Sequence, residues 1–365
     1  MATTGITFSG GFQLTGGYTF TNGPVVVFSF STPAVMNGST TVAKMYGVAV
    51  NSSGKFVSIG TVNNAFDPGY ATSTNGISWT QPALIPSAGG GVRPLFRKIA
   101  VTGTGVFLTT GYDSTTGGAM FSHSNDGTTW STPVKPSGQP SYCDFRAIAV
   151  NSAGLCVAAG TDATYAALCS TSTPATDNSW GYPVRPTGTN MAGVFNAIAV
   201  NSSGKFVAVG TRTSDGVFFY SASTNGTTWD AITISGTVCN FKEIAVNSAG
   251  NFVAVGNNSS NYPMYSTSTD GVTWTTPAAM NGSTTVAYMN SVAVDSSGKF
   301  VAVGYNSNNY PVYATSTDGS TWTTPAAMNG STTVAYMNGV AVNSAGKFAA
   351  VGFDSNNYPV AAYTP

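Results

Sequence analysis

Residues 45–60 read MYGVAVNSSGKFVSIG, and this stretch decides the fold because the chain repeats it. Further copies end at Gly111, Gly160, Gly210, Gly256, Gly304 and Gly352, so that seven copies follow one another at intervals of 46 to 51 residues. A period of this length is typical of propellers and solenoids. It overrides the two-domain organisation that 365 residues would otherwise suggest.

Each repeat contains four short apolar runs. In the quoted copy, Val48–Val50 and Phe56–Ile59 flank Asn-Ser-Ser-Gly, the pattern of a β-hairpin whose glycine takes positive φ. A third run follows a polar loop, as in Tyr310–Ser316, and a fourth begins at a tryptophan, as in Trp322–Pro325. Since helical periodicity is absent, the sequence predicts an all-β, seven-bladed β-propeller of four-stranded antiparallel blades.

The turn between the third and fourth runs carries the most specific motif. It reads STDGVTW up to Trp274 and STDGSTW up to Trp322. It resembles the Asp-box, or bacterial neuraminidase repeat (BNR), of sialidase-type propellers, and similar turns occur in photosystem-assembly and sortilin-like propellers. The resemblance implies structural roles only, with aspartates accepting backbone N–H bonds and tryptophans packing between sheets. The residues concerned are Asp126, Asp270, Asp318, Trp79, Trp130, Trp180, Trp229, Trp274 and Trp322.

The two ends of the repeat array complement each other. The last copy reaches Tyr363 without its own fourth strand, whereas the N-terminal VVVFSFSTPAVMNGST matches the fourth-strand phrase TWTTPAAMNGST, with Phe30 in the tryptophan position. We therefore expect Val25–Thr32 to complete the seventh blade and close the ring. The predicted domains are a propeller of residues 25–365 and a Gly-rich arm of residues 1–24.

The arm lies outside the repeat. Apolar residues alternate from Ile6 to Phe20 around two Gly-Gly pairs, which favours short strands too small to form a core alone. The arm either packs on its own propeller or docks on another subunit, and the sequence leaves both open. Its opening, ITFSGGFQLTGG, is similar to the starts of some tailed-phage structural proteins.

Composition excludes several classes of partner. Charged residues make up 7% of the chain and the formal net charge is zero. No basic cluster is longer than Arg97-Lys98, so neither nucleic acid nor an anionic membrane is a predicted partner. The chain lacks an apolar run long enough to span a bilayer, and its first residues lack the features of a secretory signal. We expect no membrane insertion and no export by that route.

Cysteine and histidine usage predicts neither a metal site nor a cofactor. The four cysteines lack CxxC spacing, and His123 is the only histidine. Cys156 and Cys169 flank a hairpin and could pair, while buried free thiols are the alternative. His123 precedes an Asp-box turn without the partners of a catalytic triad, which favours a surface histidine.

Strand direction assigns the loops to two faces. If each innermost strand runs from top to bottom, the second-to-third and fourth-to-first loops share the top, and the hairpins and Asp-box turns share the underside. The top loops are long and polar, as is usual for binding surfaces. One residue near the start of each innermost strand is expected to line the top mouth of the central channel. These candidate ligand-binding residues are Tyr46, Arg97, Arg146, Asn196, Lys242, Asn290 and Asn338.

Sialidase-type enzymes use this region, but the acidic inventory argues against that activity. The resemblance implies an arginine cluster for a carboxylate, a Tyr–Glu nucleophile and an aspartate acid or base. This chain has one glutamate, Glu243, and five arginines. Glu243 and Asp144 could formally supply the two acidic groups that glycoside hydrolysis needs, but Lys98 and Lys242 favour ion pairing. We therefore predict no catalytic residues and no enzymatic activity.

Three functional hypotheses remain. The first is a surface structural or attachment protein, such as a phage virion appendage, located on a virion or extracellular surface and docked to other virion or surface proteins through the arm. The second is a carbohydrate-binding propeller lectin, in which top-face Asn and Tyr bind glycans. The near-identical segments Thr276–Val312 and Thr324–Val360 would duplicate its site, or reflect recent duplication alone. The third, a sialidase-like hydrolase, is disfavoured.

Overall fold

A computed structural model of the chain describes residues 28–63, 67–86, 91–135, 142–172, 180–187 and 192–365. These residues form seven antiparallel sheets, the blades of an all-β propeller, and the prediction of seven blades is confirmed. The described ranges contain no helix beyond the 3-10 turns Met36–Gly38, Met280–Gly282 and Met328–Gly330. The predicted arm, residues 1–24, and Val25–Val27 lie outside the described residues.

The blades are numbered in chain order, with strands given from the innermost to the outermost. Blade 1 contains Ala43–Val50, Phe56–Val62, Asp67–Ser73 and Ala83–Leu84. Blade 2 contains Pro94–Val101, Phe107–Asp113 and Ala119–Ser124, and blade 3 contains Cys143–Val150, Cys156–Asp162 and Ala167–Ser172. Single bridges from Phe121 to Val134 and from Cys169 to Val184 take the place of a fourth strand in these two blades.

The other four blades have four strands each. Blade 4 contains Gly193–Val200, Phe206–Arg212, Val217–Ser223 and Thr233–Val238, and blade 5 contains Asn240–Val246, Phe252–Asn257, Pro263–Ser268 and Ala278–Ala279. Blade 6 contains Ala287–Val294, Phe300–Asn306, Pro311–Ser316 and Ala326–Ala327. Blade 7 contains Ala335–Val342, Phe348–Asp354, Pro359–Tyr363 and, from the N-terminal part of the chain, Ala34–Val35.

The N-terminal segment closes the ring as predicted, but with a shifted boundary. Ala34 pairs with Ala361 and Val35 with Val360, and the Ser31 backbone N–H donates to the Tyr363 carbonyl at 2.8 Å. Ser31 lies inside the predicted Val25–Thr32, whereas the paired strand Ala34–Val35 begins two residues after this range. In blade 6 the fourth strand, Ala326–Ala327, likewise begins after the tryptophan, although Trp322 forms a single bridge with Ser316 and the Thr323 N–H donates to the Thr315 carbonyl.

The core consists of slabs between neighbouring blades, because each sheet is apolar on both faces. Between blades 7 and 1, for example, Phe56 and Trp79 pack with Ala349 and Val351. Between blades 2 and 3, the indole of Trp180 stacks on Phe121 with ring centroids 3.9 Å apart. Aromatic burial of this kind, repeated around the ring, ties each blade to the next.

Cys156 and Cys169 point away from each other. Cys156 packs with Phe121 and Phe145 between blades 2 and 3, whereas Cys169 packs with Phe195 on the opposite face of the same sheet. All four cysteines are free thiols. Burial raises the pKa of Cys156 to about 12, so the thiolate needed for disulfide exchange is scarce.

Contacts between blades fix which loops share a face. The Ala287 N–H, at the start of an innermost strand, donates to the carbonyl of Asn261 in the second-to-third loop of the preceding blade. On the other face, Lys55 in a hairpin donates at 2.5 Å to the carbonyl of Asp126, which lies in the turn after a third strand. The first group of loops surrounds the start of the innermost strands and is called the top face below.

Candidate ligand site at the channel mouth

All seven sequence-selected mouth residues occupy one kind of backbone position. In every innermost strand the pairing register skips one residue, for instance Tyr46 between Met45 and Gly47 and Lys242 between Phe241 and Glu243. A β-bulge of this kind bends the strand and redirects the extra side chain. The skipped residues are Tyr46, Arg97, Arg146, Asn196, Lys242, Asn290 and Asn338.

A glycine in the second strand makes room for each bulge. It is the last residue of the repeated phrase, Gly60 in blade 1 and Gly304 in blade 6. A Cβ on Gly304 would lie 1.7 Å from the Tyr288 carbonyl oxygen, and one on Gly60 would lie 1.9 Å from that of Lys44. The glycine is therefore a steric requirement of the bulge, a role that the sequence pattern alone did not indicate.

The bulged residues surround two adjoining depressions on the top face, here called the mouth. Six of the seven, together with Lys98, line a depression of about 250 Å³. Asn196 lines a neighbouring depression of about 300 Å³, which shares Arg146 and Lys242 with the first. The mouth residues predicted from the sequence thus lie together. Lys98, which follows Arg97 and is not among them, also reaches the mouth.

Asp144 joins the two arginines of the mouth. Its carboxylate accepts hydrogen bonds from Arg97 Nε at 2.8 Å and from Arg146 Nε at 2.9 Å. The Asp144 side chain is only 2% exposed, against 40% for Arg97 and 35% for Arg146. The guanidinium of Arg97 also lies over the Tyr112 ring, 5.0 Å from its centroid. The guanidinium groups are fixed from below while remaining open to the mouth.

A second ion pair crosses the channel beneath the mouth. Lys98 of blade 2 binds Glu243 of blade 5, and both side chains are largely buried. At the same strand position the remaining blades carry small residues: Gly47, Ala147, Ala197, Ser291 and Gly339. The small side chains leave space for the long pair, and the only glutamate of the chain is engaged by it.

Lys242 is the basic residue of the mouth without a counter-ion. Among the described residues no carboxylate lies within salt-bridge distance of its ammonium. Burial, and then the neighbouring positive charge of Arg146, lower the pKa of Lys242 below its usual value. An anion in the mouth would remove both penalties. Four basic residues, Arg97, Lys98, Arg146 and Lys242, face the carboxylates of Asp144 and Glu243, which leaves a formal charge of +2.

The three bulged asparagines hold neighbouring blades together through their amide nitrogens. Asn290 Nδ2 donates to the Met337 carbonyl and Asn338 Nδ2 to the Met45 carbonyl, each at 2.9 Å. Asn196 Nδ2 donates to the Phe241 carbonyl at 3.0 Å. Their positions are thereby fixed, and a ligand would meet preorganised amide oxygens.

On the underside, the turns that follow the third strands have a structural hydrogen-bond pattern. The Asp126 carboxylate accepts N–H bonds from Thr128 and Thr129 at 2.7 and 2.6 Å, and the Trp322 indole N–H donates to the Gly319 carbonyl at 2.9 Å. His123 is half-buried beside this region, and its Nδ1 has no hydrogen-bond partner within the described part of the chain. The described residues contain no group of His, Cys, Asp or Glu arranged to hold a metal ion. Within the same ranges, no helix has the length and apolar character needed to cross a bilayer.

Comparison with known proteins identifies the fold but no family. No protein-family model and no curated protein sequence matches the chain. Among solved structures, the chain is similar to YCF48 bound to a D1 peptide, with a TM-score of 0.61, 14% identity, and coverage of 91% of this chain and 94% of that one. It is also similar to virginiamycin B lyase from Staphylococcus aureus, with a TM-score of 0.62, 9% identity, and coverage of 93% and 100%.

A third similar structure is a polysaccharide lyase of family PL25, an ulvan lyase bound to -[GlcA(1-4)Rha3S]-. Its TM-score is 0.56 at 10% identity, with coverage of 92% of this chain and 94% of that one. At such identities the likeness establishes a shared propeller fold. The fold thus accommodates binding proteins and enzymes alike.

The prediction that this chain is not an enzyme is wrong, because it excluded enzymatic activity for a fold that several enzymes share. Two of the similar structures, virginiamycin B lyase and ulvan lyase, are enzymes on the same fold. The prediction relied on the two carboxylates that glycoside hydrolysis requires. Lyases break bonds by elimination, so a shortage of acidic residues does not exclude that class of reaction.

Proposed function

We propose that this protein is a surface attachment propeller, carried on the outside of a particle such as a virion, that binds an anionic group of its partner at the mouth. The observation that carries the proposal is Lys242, a half-buried ammonium for which the described residues supply no counter-ion. It lies beside two arginines that Asp144 holds open to solvent. A preorganised cluster of this kind favours an anion, because the cost of burying its charges is met when the protein folds.

The ligand class fits what the fold binds in other proteins. A peptide is bound in the YCF48 structure, and an oligosaccharide that contains a uronate and a sulfate is bound in the ulvan lyase structure. The carbohydrate-binding alternative, a lectin, is compatible with the attachment role, because surface attachment often uses glycans.

The test compares anion binding by two charge-matched variants. One carries Arg97→Gln, Arg146→Gln and Lys242→Gln in the mouth; the other carries Lys55→Gln, Lys205→Gln and Lys347→Gln in the underside hairpins. Dextran sulfate is the probe, with neutral dextran as its control. We expect the mouth variant to bind at least about tenfold more weakly than wild type, a loss of about 1.4 kcal/mol, and the underside variant to bind as wild type does.

Equal losses in the two variants would mean that net charge alone governs binding, and the mouth would then not be the site. The bound saccharides are also analysed by mass spectrometry after incubation with the wild-type protein. Cleavage products would add an enzymatic activity to the binding function.

The proposed attachment role also requires a segment that anchors the propeller to the particle. We propose that residues 1–24 dock the propeller, residues 25–365, on other proteins of the particle. Deleting Ala2–Gly23 should abolish incorporation into the particle while leaving dextran sulfate binding unchanged. Normal incorporation of the shortened protein would show that another surface provides the anchor.

A further inference from the structure

A row of aromatic side chains lies on the top face across blades 6 and 7. Tyr288 and Tyr305 stack with ring centroids 4.8 Å apart, Tyr305 meets Tyr336 edge to face at 5.0 Å, and Tyr336 stacks on Phe353 at 4.9 Å. Lys44 closes the row, with its ammonium 5.2 Å from the centroid of Phe353. We call Tyr288, Tyr305, Tyr336 and Phe353 the aromatic ledge.

The aromatic ledge continues directly into the mouth. Tyr288 lies two residues before Asn290, and Tyr336 two residues before Asn338, on strands where half-buried and buried residues alternate. Two residues span about 7 Å along a strand. Tyr288 and Asn290 are directed to the same neighbour, because the Tyr288–Tyr305 stack contacts Tyr336 of blade 7 and Asn290 Nδ2 donates to the Met337 carbonyl of that blade. Because Asn290 and Asn338 line the mouth, the ledge and the mouth form one surface.

The ledge offers hydrogen-bonding groups as well as rings. Burial, followed by the nearby Tyr288 and Tyr336, raises the pKa of Tyr305. A phenol hydroxyl can both donate and accept a hydrogen bond. The amides of Asn290 and Asn338 commit their nitrogens to backbone carbonyls. Asn290 Oδ1 remains as an acceptor, and Asn338 Oδ1 has only a long contact of 3.5 Å with Asn290 Nδ2.

We propose that the aromatic ledge is a carbohydrate subsite and that the ligand of the mouth is an acidic oligosaccharide. Its acidic group lies among Arg97, Arg146 and Lys242, and the next sugar ring packs its C–H groups on the tyrosines while its hydroxyls bind the asparagine oxygens. This assignment rests on the proposed anion binding at the mouth and specifies the ligand.

An acidic peptide fits this surface less well. Peptides are usually anchored by apolar side chains in pockets. The depression that contains Tyr46 is lined otherwise by basic residues and asparagines, and its neighbour has Val194 as its one aliphatic lining residue among those described. A flat aromatic surface flanked by amide and hydroxyl groups suits a ring that has both C–H faces and hydroxyl edges.

The test uses matched variants of the ledge. Tyr288→Ser with Tyr336→Ser removes two rings, whereas Tyr288→Phe with Tyr336→Phe keeps them; Tyr182→Ser, at an exposed tyrosine outside the ledge, is the control. The probes are a panel of uronate, sialylated and sulfated oligosaccharides, hexaglutamate as a charged chain without rings, and inorganic sulfate.

We expect the serine variant to lose about tenfold in affinity for the best acidic oligosaccharide, and the phenylalanine and control variants to lose threefold or less. Sulfate binding should be unchanged in all three. Saturation-transfer NMR with irradiation of protein aromatic protons should mark sugar C–H groups in wild type and not in the serine variant.

The possible outcomes distinguish failure of the proposed anion binding from failure of the carbohydrate assignment. Sulfate binding that does not depend on Lys242 would overturn the proposed function itself. If sulfate does bind at the mouth, two results would overturn the carbohydrate assignment alone. One is hexaglutamate binding as tight as that of any oligosaccharide, and the other is an unchanged oligosaccharide affinity in the serine variant.

Discussion

The top face has two halves that share a backbone and differ in chemistry. Blades 2 to 5 place Arg97, Arg146, Asn196 and Lys242 at the bulge, whereas blades 6, 7 and 1 place Asn290, Asn338 and Tyr46 there. Two residues earlier, blade 3 has the buried Asp144 and blade 7 has the ledge tyrosine Tyr336. The bulge and its glycine provide the scaffold, and the side chains at these two positions determine what each half can bind.

The largest expected effect tests whether the scaffold is the same in both halves. Gly111→Ala in the basic half and Gly304→Ala in the aromatic half each place a Cβ within 2 Å of a backbone carbonyl oxygen. Overpacking against backbone should lower the free energy of unfolding by at least about 3 kcal/mol in both variants. Urea denaturation measures the loss.

Gly103→Ala is the matched control, because a Cβ there has no atom within 4 Å and its φ is ordinary. Its unfolding free energy should change by no more than about 0.5 kcal/mol. If Gly304→Ala were as stable as this control, the bulge would not depend on glycine in the aromatic half, and the common scaffold would be disproved.

The next effect belongs to the basic half. Asp144→Asn removes the buried negative charge between Arg97 and Arg146 and leaves two guanidinium groups to repel each other. Since both arginines are partly exposed, solvent screening limits the loss in unfolding free energy to about 1 to 3 kcal/mol. Thermal and urea unfolding at low and high salt measure it, and salt should reduce the difference from wild type.

Asp215→Asn is the comparison, because Asp215 and Arg212 form an exposed pair within a single loop. It should cause a clearly smaller loss than Asp144→Asn. A comparable loss would indicate that Asp144 acts as an ordinary surface charge and does not organise the mouth.

A moderate effect is expected for Lys242, since the aromatic half has no basic residue at the bulge position. Lys242→Met should weaken dextran sulfate binding about tenfold, while Lys347→Met on the underside should not. Burial and the charge of Arg146 lower the pKa of Lys242 in the folded state. At pH values between this folded-state pKa and the unfolded-state pKa, the unfolded chain therefore binds more protons than the folded chain. Stability should therefore rise with pH across this window, while anion affinity falls.

Titrations of binding and unfolding from pH 7 to pH 10 measure both trends, and Lys242→Met should remove them together. Opposite slopes that persist in the variant would assign the titration to another group.

Much of this molecule could be predicted from the sequence because the repeat encodes it. Seven copies with glycine turns give the blade number, and the match between the N-terminal phrase and TWTTPAAMNGST predicts ring closure. The closing strand itself begins a few residues later than predicted, at Ala34, as the equivalent strand of blade 6 begins at Ala326. Isolated pairing precedes both strands, at Ser31 and at Trp322.

The site could be predicted only in part. The positions of the mouth residues follow from repeat alignment, but the bulge that exposes them depends on a backbone clash at Gly60 and its equivalents, which no sequence pattern displays. The Arg97–Asp144 and Lys98–Glu243 pairs join different blades, and their partners are 47 and 145 residues apart. The aromatic ledge likewise assembles from strands of two blades, so residue spacing gave no sign of it.

The smallest expected effect concerns the underside of the basic half, where turns built on Asp and turns built on Asn should be interchangeable. Asp270 accepts N–H bonds from Val272 and Thr273 at 2.8 and 2.7 Å, and in blade 4 Asn225 accepts the equivalent bonds at 3.0 and 2.8 Å. Asp270→Asn should therefore shift the Tm at pH 7 by less than about 2 °C.

The acid range separates the two residues. Burial alone would raise the pKa of Asp270, but the backbone N–H groups of Thr273 and Val272 outweigh it and lower the pKa to about 2. A carboxyl group whose pKa is lower in the folded state stabilises the fold at pH values above its unfolded-state pKa. This stabilisation is lost as the pH falls towards the folded-state pKa. Asparagine does not titrate, so the Tm of the variant should fall less steeply than that of wild type between about pH 4 and pH 2. Equal slopes would mean that the Asp270 carboxylate adds nothing beyond the shape that Asn225 already provides, and the underside would then be uniform in chemistry as well as in structure.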